Sequence, residues 1–336
     1  MTADLLGATL LVALMLYALL GGADFGGGIW DLLASGPRKA EQRAAIEHAL
    51  GPIWEANHVW LILAVVVLFT AFPPAFAAIS IALFVPLALL LLGIVLRGAA
   101  FTFRTYVKPG DRAQARWGLV FSASSILAPL VLGVVVGALA SGRLADATRG
   151  DEPFAWVATF PLSTGLFAAA LFAFLAATYL AVETEGPLRE DFRRRAVGAG
   201  VAVFACAVLS GALAWREAPV VFEGLARRPW SLPFHAGTGA AALAAFAALR
   251  AGRVRSARAA AVVQVSLIVL GWGASQYPYL IVPVLTLASA SAPRSTQVAL
   301  LWALAGGAAL LFPALYVLFR VFKGERPFSA VDHGAS

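Results

Sequence analysis

The sequence has few charged residues, one cysteine and four histidines, and each shortage excludes a class of protein. Charged residues make up 13% of the 336 and hydrophobic residues 61%, whereas about 25% of a soluble domain is charged. The single cysteine, Cys206, excludes a disulfide framework and a CxxC metal site. This composition predicts an all-α integral membrane protein, because helices satisfy their own backbone hydrogen bonds in lipid.

The few histidines and methionines also argue against a haem held by this chain. Two of the four histidines fall in predicted spans: His58 near one membrane face and His235 near the other. They cannot share an iron at that separation, and the two methionines cannot replace them as axial ligands. The sequence therefore predicts no bound haem and no metal site.

Nine apolar runs are long enough to cross about 30 Å of hydrocarbon. They predict one polytopic membrane domain over residues 1–336. The runs lie at about 5–34, 52–73, 75–103, 117–141, 156–182, 196–215, 231–250, 258–287 and 297–320. Helices 1–4 thus cover about 5–141, helices 5–8 about 156–287 and helix 9 about 297–320, with a cytoplasmic tail at 321–336.

The distribution of lysine and arginine predicts the orientation of the chain. With the N-terminus outside, the inner loops and tail hold 18 of the 25 basic residues, the outer loops hold six, and Arg97 lies in a span. Such an excess on one side is the positive-inside signature. The basic residues are scattered through short loops, so the net charge of +7 does not indicate a nucleic-acid partner.

Three ionisable residues in predicted spans are the main functional candidates. Asp24, Glu55 and Arg97 all fall in the inner third of the membrane. Placing such a group in lipid costs roughly 3 kcal/mol or more, so it is a functional candidate by default. His58 follows Glu55 by three residues and shares its helix face. The set predicts a proton route or a polar ligand site.

Each candidate also has a structural explanation. The glycines around Asp24 permit close helix packing, although packing does not explain the aspartate itself. The helix dipole favours Glu55 at a helix N-terminus. Arg97 has three explanations that the sequence leaves open: snorkelling to headgroups, a structural ion pair, or a ligand role. Asp31 is expected to be solvated near the interface, and Arg104 is expected to snorkel.

A second unusual run, at 271–279, includes Trp272, Gln276, Tyr277 and Pro278. The structural interpretation is a helix broken by glycine and proline, with an aromatic belt at the outer interface. The functional interpretation is the lining of a ligand site or a subunit contact. We expect Pro278 and Pro283 to kink or unwind the eighth span.

Four runs in order together resemble subunit II of the cytochrome bd-type quinol oxidase family. They are Gly22-Ala23-Asp24-Phe25-Gly26, the Gly-Pro-x-Trp-Glu-x-Asn-x-x-Trp-Leu pattern at 51–61, Leu96-Arg97-Gly98-Ala99-Ala100-Phe101, and the aromatic run at 271–279. The resemblance covers essentially the whole chain. Each motif alone is weak, but four in this order, with about nine spans, are specific.

The resemblance implies two four-helix bundles plus one peripheral helix. It implies a heterodimer with a haem-bearing subunit I, which oxidises quinol while the complex reduces dioxygen to water. No activity is then expected from this chain alone. The chain is implied to lack haem, while some members hold a structural quinone. The resemblance also implies a bacterial or archaeal cytoplasmic membrane, and it leaves open whether small single-helix accessory subunits attach.

The resemblance also suggests residue roles. Glu55 matches the proton-path acid of the family, at a position where many members have Asp, and Trp54 lies beside it. Asp24, Asn57 and His58 are expected on the same path. Arg97 is expected to be a charge partner, or with Trp60 a contact for quinone or another polar ligand.

Two alternative functions remain. A proton-coupled secondary transporter would use the same buried charges, and broken helices are typical of such proteins. A purely structural scaffold would order the haem subunit without carrying protons. The transporter alternative predicts activity from this chain alone, and the oxidase interpretation predicts none.

Overall fold

The computed structural model describes residues 1–50, 57–107, 112–144 and 154–322. These residues form twelve helices and one short hairpin. The helices are α1 (Thr2–Leu32), α2 (Lys39–Leu50), α3 (Val59–Ala71), α4 (Pro73–Ala82), α5 (Phe84–Tyr106), α6 (Arg112–Ser141), α7 (Thr159–Glu183), α8 (Gly186–Glu217), α9 (Pro219–Arg227), α10 (Ser231–Arg250), α11 (Val254–Gln276) and α12 (Arg294–Phe322), and the antiparallel strands are β1 (Tyr279–Ile281) and β2 (Leu285–Thr286).

Eight helices of the described residues are long and apolar enough to cross a membrane, and the bent pair α3–α4 raises the number to nine. The predicted all-α, multi-pass membrane fold with about nine spans is therefore confirmed. The arrangement into two four-helix bundles stays a prediction.

The boundaries predicted for the second and third spans are partly wrong. Helix α3 ends at Ala71, and α4 starts at Pro73 with its axis turned by 117°. Proline suits the first turn of a helix, where its missing N–H is not needed, so the chain can restart there in a new direction. The expected continuous helix over 75–103 is also divided at Leu83, between α4 and α5. Residues 52–56 of the second predicted span lie outside the described residues.

The eighth span ends earlier than predicted. Helix α11 stops at Gln276, and the hairpin β1–β2 follows where the expected span continued to residue 287. Pro278 and Pro283 lie in this segment, and neither has the N–H that a helix interior requires. The expected unwinding is confirmed. Helices α2 and α9 were not predicted, because they lie in segments that the apolar runs do not include.

Helix α7 is central to the packing, with α1, α6, α8 and α11 against it. The glycines of α1 make this close approach feasible. A Cβ atom at Gly26 would overlap the carbonyl oxygen of Phe172 in α7, and one at Gly28 would overlap Ser125 in α6. The close packing predicted for the glycine run is therefore confirmed. It brings Asp24 and Asp31 against the interior of the protein.

Helix α12 is peripheral. Its main contacts are with α1 and α3, and none of its most apolar stretch is buried. Trp302, Leu310 and Tyr316 remain largely exposed on its surface.

Candidate functional site

Three buried polar side chains from three segments meet inside the protein. We call Asp24, Asn57 and Arg97 the Asp24 cluster; they lie on α1, just before α3 and on α5. The Asn57 amide donates a hydrogen bond to the Asp24 carboxylate, and Nη2 of Arg97 donates to the main-chain oxygen of Asp24 at 3.0 Å. Relative exposure is 4% for Asp24 and 2% for the other two. The cluster thus ties α1, α3 and α5 together.

Arg97 is held between two aromatic rings. Its guanidinium carbon lies 5.0 Å from the centre of the Phe25 ring and 5.3 Å from that of Phe121. Ring faces attract a cation and replace part of the water that burial removes. Snorkelling of Arg97, one of the explanations left open by the sequence, is therefore wrong. The contact with Asp24 supports a structural role for Arg97 and leaves a ligand role open.

More aromatic and polar groups surround the cluster. The ring centre of His58 lies 6.0 Å from that of Tyr17 and 6.1 Å from that of Phe25. Within the described residues, the Tyr17 hydroxyl, Oδ1 of Asn57 and Nε of Arg97 have no hydrogen-bond partner. Buried polar atoms normally have partners, so these three mark a polar interior at this point.

The structure places the remaining predicted residues as follows. Trp60 is buried, and its ring faces Phe312 of α12 with 6.5 Å between the ring centres. Glu55 and Trp54 lie outside the described residues, so their expected roles stay predictions. Asn57, two positions after Glu55, is the nearest described member of the cluster in the chain.

Sequence reasoning missed a second polar group, which we call the Asp31 cluster: Asp31, Arg43, Glu47, Arg104 and Ser122. Nη1 of Arg104 donates to Oδ1 of Asp31, and Oγ of Ser122 donates to Oδ2, both at 3.0 Å. Nε of Arg43 donates to the main-chain oxygen of Asp31 at 3.2 Å. Glu47 lies 3.7 Å from Arg104.

The Asp31 cluster corrects two predictions. Asp31 is only 1% exposed, so the expectation that it is solvated is wrong. Arg104 does not simply snorkel, because it is paired with this buried carboxylate. The partners come from α2, α5 and α6, and only the spacing of the charges could have indicated Arg104, which is 73 residues away. Asp31 follows Asp24 by seven residues on α1, and Arg104 follows Arg97 by seven on α5. Seven residues are two helical turns, so both arginines reach α1 from the same side of α5.

The aromatic run at 271–279, which spans the end of α11, lies far from both clusters. The Tyr277 hydroxyl donates to Oδ1 of Asp4 at 3.2 Å, and that carboxylate raises the pKa of Tyr277. Asp4 and Asp24 are 20 residues apart on one helix, or about 30 Å. Gln276 is buried and Trp272 partly buried, and neither Oε1 of Gln276 nor the indole N–H of Trp272 has a partner within the described residues. Lining or subunit contact stays a prediction for all three.

No group of three or more metal-binding side chains occurs within the described ranges. Nδ1 of His235 is hydrogen-bonded to the Ser231 carbonyl of its own helix at 2.8 Å.

Comparisons with known proteins give one consistent result. The family model described as "Cytochrome bd terminal oxidase subunit II" matches residues 3–322. The chain is 35% identical over 128 residues to cytochrome bd ubiquinol oxidase subunit 2 of Bacillus subtilis (strain 168), which covers 38% of this chain and 37% of the relative. It is 30% identical over 210 residues to cytochrome bd-I ubiquinol oxidase subunit 2 of Escherichia coli (strain K12), covering 60% and 55%. These alignments thus span about a third and about half of those relatives.

A longer alignment, 23% identical over 331 residues, covers 93% of this chain and 93% of a putative cytochrome bd menaquinol oxidase subunit II from Bacillus subtilis (strain 168). Among solved structures, a chain of the bd oxidase from Geobacillus thermodenitrificans matches with a TM-score of 0.79 and 21% identity, covering 96% of this chain and 99% of that one. The structural match supports the fold. Because the family model extends over nearly the whole sequence, this chain belongs to the cytochrome bd terminal oxidase subunit II family.

Proposed function

We propose that this chain is the haem-free subunit of a quinol:oxygen oxidoreductase and delivers protons from the cytoplasm for the reduction of dioxygen to water. The observation that carries the proposal is the Asp24 cluster, a buried carboxylate inside a membrane bundle. Such a group is expensive to place in lipid and is therefore a functional candidate, and unlike Asp31 its carboxylate is not bonded directly to the neighbouring arginine. Family membership supplies the reaction class, and it favours an oxidase subunit over a secondary transporter.

The geometry of the Asp24 cluster suits proton transfer. Arg97 donates to the main-chain oxygen of Asp24, and the neutral amide of Asn57 donates to its carboxylate. A positive charge that is nearby but bonded elsewhere offsets the carboxylate charge without occupying its oxygens. In this proposal Glu55 receives the proton from the cytoplasm, Asn57 and His58 orient it, and Asp24 passes it on. Trp54 forms part of the same path.

The proposal places the haems in a partner, subunit I, which this chain supports through direct association. Haem iron in proteins is held by side chains such as His, Met or Cys, and the sequence has too few suitably placed ones. A quinone held by this chain near Arg97 and Trp60 would be structural, and the oxidised quinol would bind the partner. We further propose that the N-terminus faces outward and that the arginine-rich loops face the cytoplasm.

The test uses the complete complex, purified gently from its own membrane. The chains should include a haem-bearing partner, visible in reduced-minus-oxidised spectra, and the complex should consume oxygen when quinol is added. Glu55→Gln and Asp24→Asn should each lower turnover by about tenfold or more, because each removes a group that can exchange a proton. Proton uptake from the cytoplasmic side of proteoliposomes should fall in parallel.

Asp31→Asn provides the matched control, since it neutralises another buried carboxylate on the same helix, two turns away. It should leave turnover per assembled complex close to that of the unmodified protein. Unchanged turnover and proton uptake in both Glu55→Gln and Asp24→Asn would overturn the proton-delivery role. A particle that contains this chain alone, lacks haem and moves a substrate with protons would overturn the oxidase assignment itself.

A further inference from the structure

The Asp31 cluster forms one side of a cavity that the proposed proton path does not use. The cavity has a volume of about 740 Å³ and lies between the end of α1, the start of α2, the end of α5 and the first half of α6. Its lining includes Leu32, Pro37, Lys39, Arg43, Arg104 and Leu119. It therefore lies where the chain leaves and re-enters the proposed cytoplasmic surface.

The lining has an apolar side and a cationic side. Leu32 and Leu119 have relative exposures of 41% and 61%, and both belong to helices that are long enough to span a membrane. Lys39, Arg43 and Arg104 line the same cavity. A charged head with an attached hydrocarbon chain matches this combination, because each part would contact a surface of its own kind.

The charges leave an excess of positive charge in the cavity. Arg104 and Arg43 are partly neutralised by Asp31 and by Glu47. No ion pair joins Lys39 to any carboxylate of the described residues. Gly118 lines the same cavity next to Arg104 and has no side chain to cover the guanidinium. The cavity thus offers an uncompensated cation and room for an anion.

We propose that this cavity binds one anionic phospholipid, with its phosphate group near Lys39, Arg43 and Arg104 and an acyl chain along Leu32 and Leu119. Basic pockets between membrane helices on the cytoplasmic side suit such headgroups. The shared ligand chemistry is a phosphate, which an inorganic anion could also supply. The exposed leucines favour a lipid as its source. This inference is independent of the proton path, since it uses neither Asp24 nor Glu55.

The test is native mass spectrometry of the purified, delipidated complex titrated with dioleoyl-phosphatidylglycerol, with dioleoyl-phosphatidylcholine or with inorganic phosphate. The unmodified protein should bind one phosphatidylglycerol in preference to the other two. Lys39→Gln should weaken this binding about fivefold, the effect of one cation near a charged lipid surface. Ala115→Trp, which places a large side chain in the cavity without changing any charge, should weaken it further.

Arg255→Gln is the control, because Arg255 is an exposed arginine on the same proposed membrane side and does not line the cavity. It should leave the affinity for phosphatidylglycerol unchanged. Equal weakening by Arg255→Gln and Lys39→Gln would show a diffuse surface attraction and overturn the site. Equal binding of inorganic phosphate, no preference over phosphatidylcholine, or full binding by Ala115→Trp would overturn it as well. Oxygen uptake is measured for the unmodified complex and for each variant. A failure of lipid binding in a complex that consumes oxygen would overturn only this inference, whereas a complex that consumes no oxygen would overturn the proposed function.

Discussion

The Asp24 cluster and the Asp31 cluster both connect α1 with α5, yet their carboxylates have different surroundings. In the Asp31 cluster, Arg104 and Ser122 bond directly to the two carboxylate oxygens. In the Asp24 cluster, Arg97 donates to the main-chain oxygen instead. A direct, charge-assisted hydrogen bond is shorter and stronger than one between neutral groups. The comparison indicates that Asp31 joins the ends of α1 and α5 through a direct bond to an arginine, whereas the arginine of the Asp24 cluster bonds to the main chain and not to the carboxylate.

The arginines of the two clusters also differ in the groups that replace the water lost on burial. Arg97 is almost completely buried and lies between Phe25 and Phe121. The Arg104 side chain keeps 13% of its exposure and lies between two carboxylates. A buried cation depends on the few groups around it, while a partly exposed one also has solvent. The Asp24 cluster should therefore be much less tolerant of substitution.

The largest expected effect is that of Arg97→Met, which keeps an unbranched side chain but removes the cation. Removing one partner of a buried pair of charges lowers the free energy of unfolding by about 3–5 kcal/mol. Arg104→Met should cost less, about 1.5–3 kcal/mol for a lost bond to a charged group, because Arg43 and Ser122 remain beside the Asp31 carboxylate. Denaturant unfolding of the detergent-solubilised complex measures both. An equal or larger cost for Arg104→Met would contradict the comparison.

A smaller effect is expected for Ser122→Ala, which removes one hydroxyl donor from the Asp31 carboxylate. The loss should be about 1.5 kcal/mol of the free energy of unfolding. Ser125→Ala is the control, because Oγ of Ser125 donates only within its own helix, to the Phe121 carbonyl at 2.7 Å. The control should cost less, about 0.5–1 kcal/mol, because it removes a hydrogen bond between neutral groups. Similar costs for the two variants would show that Asp31 does not need its hydroxyl partner.

The smallest effect is expected for Arg43→Gln. The Arg43 side chain is 38% exposed, and its Nε lies 3.8 Å from the Asp31 carboxylate. A pair of this kind contributes less than about 1 kcal/mol. The effect should fade in about 1 M salt, where the screening length is about 3 Å. Thermal unfolding of Arg43→Gln and of the unmodified protein at low and high salt tests this. A loss of stability that salt does not reduce would show that Arg43 acts as a buried cation, as Arg97 does.

Part of the candidate site could be predicted from the sequence because charge is rare in spans. Asp24 and Arg97 stand out against an apolar background, and the run lengths with the positive-inside bias predict a similar depth for both. The same reasoning failed for Asp31, which lies close enough to a predicted interface to suggest solvent. Its burial depends on Ser122, which is 91 residues away, and on helix α2, which the apolar runs do not predict.

The helix boundaries could also be predicted only in part from the sequence. Proline positions predicted where regular structure would be interrupted, at 72–74 and at 278–283, because a missing N–H acts locally. They did not predict the 117° turn between α3 and α4 or the β-hairpin after α11. The direction of the chain after a helix break depends on what the next segment packs against, and this packing is not a local property of the sequence.

The sequence by itself determined that this is a multi-pass helical membrane protein of the bd oxidase subunit II family, and it singled out Asp24 and Arg97. Hydropathy, charge bias and ordered motifs are properties of the chain alone. Only the tertiary structure decided that Arg97 lies between two phenylalanine rings, that Asp31 is buried, and that three cations line one cavity. These contacts join residues that lie on different helices, from 24 positions apart for Arg97 and Phe121 to 91 for Asp31 and Ser122, so they exist only after the helices have packed.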